Sequence, residues 1–159
     1  MRSIGLAVLV GLSTAACVSP PPSQRVADVA REVNMAARFG RMDLALDRTA
    51  VGAKRHFSAH RSQWGGPVRV LDVELAGLSM QDAEHAVVLV DFQWTRLDEN
   101  TMRSTRIEQT WRGSGEDRGW TLVRERRIAG DLGLFGERVA RAEPAEPHDD
   151  VQFATKTIR

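Results

Sequence analysis

The chain has no tyrosine, a single cysteine and no apolar run of membrane-spanning length. Without Tyr, no phenolic acid or oxyanion donor is available to any mechanism. One Cys excludes an internal disulfide framework and any Cys-rich zinc site. An excess of either charge is missing too. Lys and Arg number 22 against 21 Asp and Glu, and with Arg2 in a cleaved leader the balance is 21 to 21. A neutral chain argues against nucleic-acid binding through phosphate neutralisation. What is present is 159 residues with 42% hydrophobic and 27% charged, enough for one domain with a real core.

Met1-Arg2-Ser3 is a short cationic start, and Ile4 to Leu12 is apolar apart from Gly. At about 1.5 Å per residue that stretch cannot cross roughly 30 Å of hydrocarbon. Residues 1–16 therefore read as an export signal peptide. The small residues Ser13, Thr14, Ala15 and Ala16 run directly into Cys17 at the cleavage point. This arrangement resembles a bacterial lipoprotein signal. The resemblance implies that Cys17 is lipidated, becomes the first mature residue and attaches the chain to a membrane. The family's lipobox reads Leu-Ala/Ser-Gly/Ala-Cys, whereas Thr14 stands at its first position here, and Thr14-x-Ala16 also fits a site for soluble export. Val18 stands where enterobacterial inner-membrane lipoproteins carry Asp, which implies the outer membrane, facing the periplasm. Pro20-Pro21-Pro22 is expected to be extended polyproline, so residues 17–23 form a stiff spacer.

From Gln24, Val26, Val29, Val33 and Ala37 step by three or four, one face of a helix stopped at Gly40. A short helical piece, Met42 to Asp47, follows. Thr49 is placed to cap a second full helix carrying Ala53, Phe57 and Trp64 on one side, ended by Gly65-Gly66-Pro67. The period then changes to two. Strands are expected over Val68 to Leu75, Ala86 to Leu97, Thr101 to Arg112 and Trp120 to Ile128. Ala86, Val88, Val90, Phe92 and Trp94 share one face, as do Thr105, Ile107, Gln109 and Trp111. Consecutive hairpins imply an antiparallel meander, and helices before strands imply α+β. The tail, residues 137–159, contains Glu143-Pro144-Ala145-Glu146-Pro147 and is expected to be loosely ordered.

Two N-terminal helices, a Gly-containing break and a four-stranded meander resemble the NTF2-like fold, also called cystatin-like or SnoaL-type. The segment from Trp111 to Gly119-Trp120-Thr121-Leu122-Val123 carries the resemblance. It implies that residues 24–136 form a cone with a cavity between the helices and a curved sheet. Family members use that cavity for isomerisation, dehydration, small-ligand binding or protein docking. The implied cavity-lining residues are Phe57, Phe92, Trp94, Thr105, Gln109, Trp111, Trp120 and Arg124.

Asp91 is the carboxylate an isomerase reading would choose as base. Alternation with Val90 and Phe92 points it away from the apolar face, and no second acid or donor accompanies it. His56 and His60 have a metal-compatible spacing, but no Glu lies between them and no third ligand is identifiable. A hydrogen-bonded, partly buried His60 is the preferred reading. Arg124 and Arg126 alternate with Trp120 and Leu122. An inward Arg124 would clamp an anion by a bidentate pair, whereas a β-bulge would turn both arginines outward, or they would salt-bridge to Glu108 or Glu125. Arg103, Arg106 and Arg127 interleave with Glu108 and Glu125 as a solvated cross-strand ladder. The loop bearing Leu132, Leu134 and Phe135 is expected to pack over the open end.

These residues point to a non-catalytic envelope lipoprotein that binds a small ligand or docks an envelope protein, as a monomer or a homodimer. No cofactor, metal or nucleic acid is implied. The alternative is a cofactor-free isomerase, dehydratase or hydrolase using the same cavity. A carrier for apolar cargo is a third reading, requiring a cavity walled by side chains such as Phe92 and Trp94.

Overall fold

The computed structural model describes residues 20–99, 101–114 and 119–138. The signal peptide, residues 17–19 of the spacer with Cys17 among them, and the tail from 139 onward lie outside the described residues. The chain is α+β, with three helices followed by a four-stranded antiparallel meander in the order β1-β2-β3-β4.

Helix α1 (Pro22–Arg38) begins earlier than the apolar periodicity suggests. Pro21 is extended (φ −61°, ψ 155°), as a polyproline residue should be, but Pro22 already occupies the first helical turn. The fixed φ of Pro suits that position, where a missing N–H costs nothing. The spacer therefore stops short of residue 23. Val26, Ala30, Val33, Asn34 and Ala37 form the buried face. Gly40 (φ +75°) ends the helix in a Schellman closure: its N–H bonds to Ala37 O and that of Arg41 to Ala36 O.

Helix α2 (Met42–Asp47) lies where the short helical piece is expected. Thr49 does not cap the following helix. Its hydroxyl donates back to Ala45 O (2.8 Å), and its backbone bridges to Leu122. Helix α3 (Val51–His60) stops at His60, before Trp64, which forms a bridge with Val68. The i to i+11 match between Ala53 and Trp64 is therefore not a helical one.

The strands are β1 (Val68–Met80), β2 (His85–Arg96), β3 (Met102–Gly113) and β4 (Trp120–Gly130). Strand β1 runs past Leu75 because register shifts at Val70/Asp72 and Leu75/Gly77 break its alternation, hiding the second half. The β2–β3 pair has no such shift, and every expected inward residue on it is fully buried. Further shifts at Arg106/Ile107 and Thr110/Trp111 disturb β3–β4. Bulges of this kind bend a strand and reset which face its side chains take. The core joins α1, α3 and the inward face of the sheet through Val33, Phe57, Phe92, Trp94, Trp111 and Leu122. Among the described residues, no helix is long and apolar enough to cross a membrane.

Candidate functional site

Polar side chains on the inward face of a sheet must find partners or cost on the order of 1–3 kcal/mol each. Here they find one another. Gln109 exchanges hydrogen bonds with Asn34 on α1 in both directions (3.0 and 2.9 Å), and Asn34 also donates to Ala30 O. Thr105 accepts from Trp94 Nε1 (2.9 Å) and donates to Asp131 O (2.8 Å). Phe92, Trp94, Thr105, Gln109 and Trp111 are therefore packed interior residues, and they line neither of the two clefts described below.

Strand β4 carries the main departure. Trp111 pairs with Leu122 and Thr110 with Arg124, so Val123 is an extra residue that reverses the alternation. Trp120 and Leu122 face inward as expected, but beyond the bulge Glu125 takes the inward position and Arg124 and Arg126 are exposed. Arg124 is thus turned out of the interior. Arg126 forms a bidentate pair with Glu108 (2.8 and 2.9 Å). Glu125 leaves the surface ladder and meets Arg61 in a buried bidentate pair (2.5 and 2.9 Å), with His60 Nδ1 donating to the same carboxylate at 2.9 Å. The Arg61 side chain is only 1% exposed and also covers the Phe57 ring at 3.5 Å.

Burial pushes the Glu125 carboxyl up. The Arg61 charge and the hydrogen bonds from His60 and Arg61 outweigh it, lowering the carboxyl from 4.5 to about 2. Glu125 is therefore a bound anion at neutral pH, with both oxygens occupied, and a poor proton acceptor. Asp91 lies on the outer face, held by Arg106 through two 2.6 Å bonds that lower its carboxyl below the ordinary value. It faces away from the apolar interior, as alternation requires.

The larger cleft opens beside this network, between α3 and the edge strand β4. It has a volume of about 410 Å³. Gly52, Ala53, His56, Phe57 and His60 form one wall, and Leu122 to Arg126 form the other. Small residues at 52 and 53 make the room, since a Cβ at Gly52 would meet nothing within 4 Å. The loop after β4 packs against this region: Phe135 stacks on His60 (4.1 Å, 11°), and Leu134 is buried, its carbonyl accepting from Trp64 Nε1. Leu132 stays 41% exposed, so the loop packs through two of its three apolar residues. A smaller cleft of about 190 Å³ lies where the start of α1 meets the β1–β2 and β3–β4 turns, lined by Pro22, Arg25, Glu84 and Trp120 among others.

Of the residues singled out from the sequence, Phe57, His56, His60 and Arg124 meet in the α3–β4 cleft, while Asp91 and Trp120 lie elsewhere. The rings of His56 and His60 are 6.2 Å apart, and His60 is engaged by Glu125. No group of three or more His, Cys, Asp or Glu suited to a metal occurs among the described residues. Asn34, Arg61 and the inward Glu125 escaped sequence reasoning. Asn34 alone left a signal, a polar residue four beyond Ala30 on an apolar helix face.

No family model matches the chain, and no curated protein matches it. Among solved structures it is similar to the intermembrane space region of chloroplast protein ARC6, at 12% identity and a TM-score of 0.45. That match covers 67% of this chain and 96% of the other, a likeness too distant to carry either fold or function across.

Proposed function

We propose that the protein is a non-catalytic envelope lipoprotein, moored through Cys17, whose NTF2-like domain binds a small ligand in the cleft between α3 and β4. The cleft is the observation that carries this reading. Its volume falls in the range of small-molecule pockets, with an apolar floor and a few polar groups at the rim. The catalytic alternative has less support. Asp91 is tied to Arg106 on the opposite face of the sheet, and Glu125 is saturated by Arg61 and His60. The anchor rests on Cys17 and the small residues before it. Two or more acyl chains, at about 0.8 kcal/mol per buried CH₂, would hold such a chain on the outer membrane almost permanently.

Native mass spectrometry of the full chain released from its own membranes tests the binding role. One small-molecule adduct per chain is expected, absent from an Ala53→Phe variant that fills the cleft. A bare wild-type mass, or an adduct indifferent to Ala53→Phe, overturns it. Fractionation of Cys17→Ser tests the anchor separately, since unchanged membrane association removes the lipoprotein reading.

A further inference from the structure

We propose that the cleft selects a small amphipathic anion, with its apolar body against Ala53 and Val123 over the buried Phe57 and Leu122, and a single anionic head at Arg124 and His56. This rests on the binding role proposed above and adds the chemistry of the ligand.

The charge balance around the cleft is the argument. Two of its charged residues are cancelled within the protein: Glu125 by the buried Arg61, and Arg126 by a bidentate pair with Glu108. Among the described residues Arg124 makes no ion pair or hydrogen bond, and neither ring nitrogen of His56 is bonded. Among the described residues the cleft therefore presents one uncompensated guanidinium and one unbonded imidazole at its rim. Below lie the partly exposed Ala53 and Val123, backed by the buried Phe57 and Leu122. An ammonium ligand would meet Arg124 with nothing to offset it, because the one carboxylate in the wall is already neutralised. A carboxylate or phosphate-type head gains charge-assisted hydrogen bonds from a guanidinium suited to them. The Val123 bulge assembles this arrangement, placing Arg124 at the rim while turning Glu125 inward to Arg61.

Chemical-shift titration of the full chain carrying Cys17→Ser, which needs no detergent, tests the selection with four probes: octanoate, octanol, octylamine and inorganic phosphate. Octanoate should move the Gly52, Ala53, Val123 and Arg124 amides saturably, at least ten-fold more tightly than octanol. Octylamine and inorganic phosphate should leave them in place, phosphate because it lacks the apolar body. Arg124→Gln should weaken octanoate about ten-fold without changing stability, while Arg69→Gln, an exposed cation on the far edge strand, should have no effect. Octanol binding as tightly as octanoate, octylamine competing with it, or an indifferent Arg124→Gln each overturns the anion selection while leaving the cleft a binding site. Phosphate binding as tightly as octanoate overturns the requirement for an apolar body. Failure of every probe, together with a bare mass in the native experiment, instead overturns the binding role itself.

Discussion

Replacing Glu125 with Gln keeps the shape of the side chain and removes its charge, leaving the Arg61 guanidinium buried without a counter-ion. Breaking one partner of a buried ion pair costs about 3–5 kcal/mol, because the surviving charge is uncompensated. An independent figure comes from the proton. The Glu125 carboxyl lies at about 2 in the folded chain against an ordinary 4.5. At roughly 1.4 kcal/mol per tenfold, ionisation of this one group contributes on the order of 3 kcal/mol near neutrality. Its folded value is the lower one, so the unfolded chain takes up the proton first as the pH falls. The contribution is complete above about 4.5 and gone below about 2. Urea unfolding of wild type and Glu125→Gln at several pH values between 7 and 2 reads both effects. The variant should be about 3 kcal/mol less stable at pH 7, and the difference should shrink steadily below pH 4.5. A double Arg61→Met, Glu125→Met variant should lose less than either single substitution, since two apolar side chains can replace a buried pair at little cost. A Glu125→Gln chain within 1 kcal/mol of wild type at pH 7, or a difference that persists unchanged to pH 2, would refute the pairing.

The two most buried tryptophans should respond differently to Phe. Trp94→Phe removes the indole donor to Thr105 and should cost about 1–2 kcal/mol more than Trp111→Phe, whose Nε1 is buried without a partner among the described residues. Equal losses of denaturation midpoint would contradict that assignment. Among the glycines, Gly130→Ala should be strongly destabilising, because φ is +84° and a Cβ would collide with the Ser104 carbonyl. Gly52→Ala, in an open position on α3, should instead stabilise by about 0.5–1 kcal/mol. Thermal unfolding of the pair checks both signs.

Periodicity can be read where the backbone is regular. The β2–β3 pair keeps register from His85 to Arg112, so counting by twos from Val90 places Phe92, Trp94, Thr105, Gln109 and Trp111 inside and Asp91 outside. Strand β4 defeats the same count. Thr121-Leu122-Val123-Arg124 are all acceptable strand residues, and no Gly or Pro marks the extra residue there. One bulge therefore turns Arg124 outward, the alternative left open for it, and brings Glu125 inward. Arg61 is illegible for a different reason. It follows the last turn of α3, and its partner lies 64 residues further along the chain, so only the three-dimensional path of β4 brings them together. Helix ends were readable where a backbone device demands a residue, as at Gly40. They were not readable where a side chain had a choice, as at Thr49, whose hydroxyl turns back to Ala45.

The same bulge governs where a ligand can sit. Had Arg124 and Arg126 faced inward, the space between helices and sheet would have held uncompensated cations and required solvent or an anion within the cone. With Glu125 inward, the polar atoms instead form a closed series: Asn34 on α1, Gln109 on β3, Glu125 on β4, then Arg61 and His60 at the end of α3. Each member lies on a different element from the next until the last pair, so the series ties both long helices to the sheet and leaves the centre filled. Space for a guest is displaced outward to the flank of α3, where Gly52 and Ala53 are small. His60 belongs to both regions, bonded to Glu125 and stacked on Phe135 while also lining the cleft. The position of that wall therefore depends on the buried pair, so a substitution at Glu125 should disturb the cleft by shifting His60 as well as by changing the carboxylate itself.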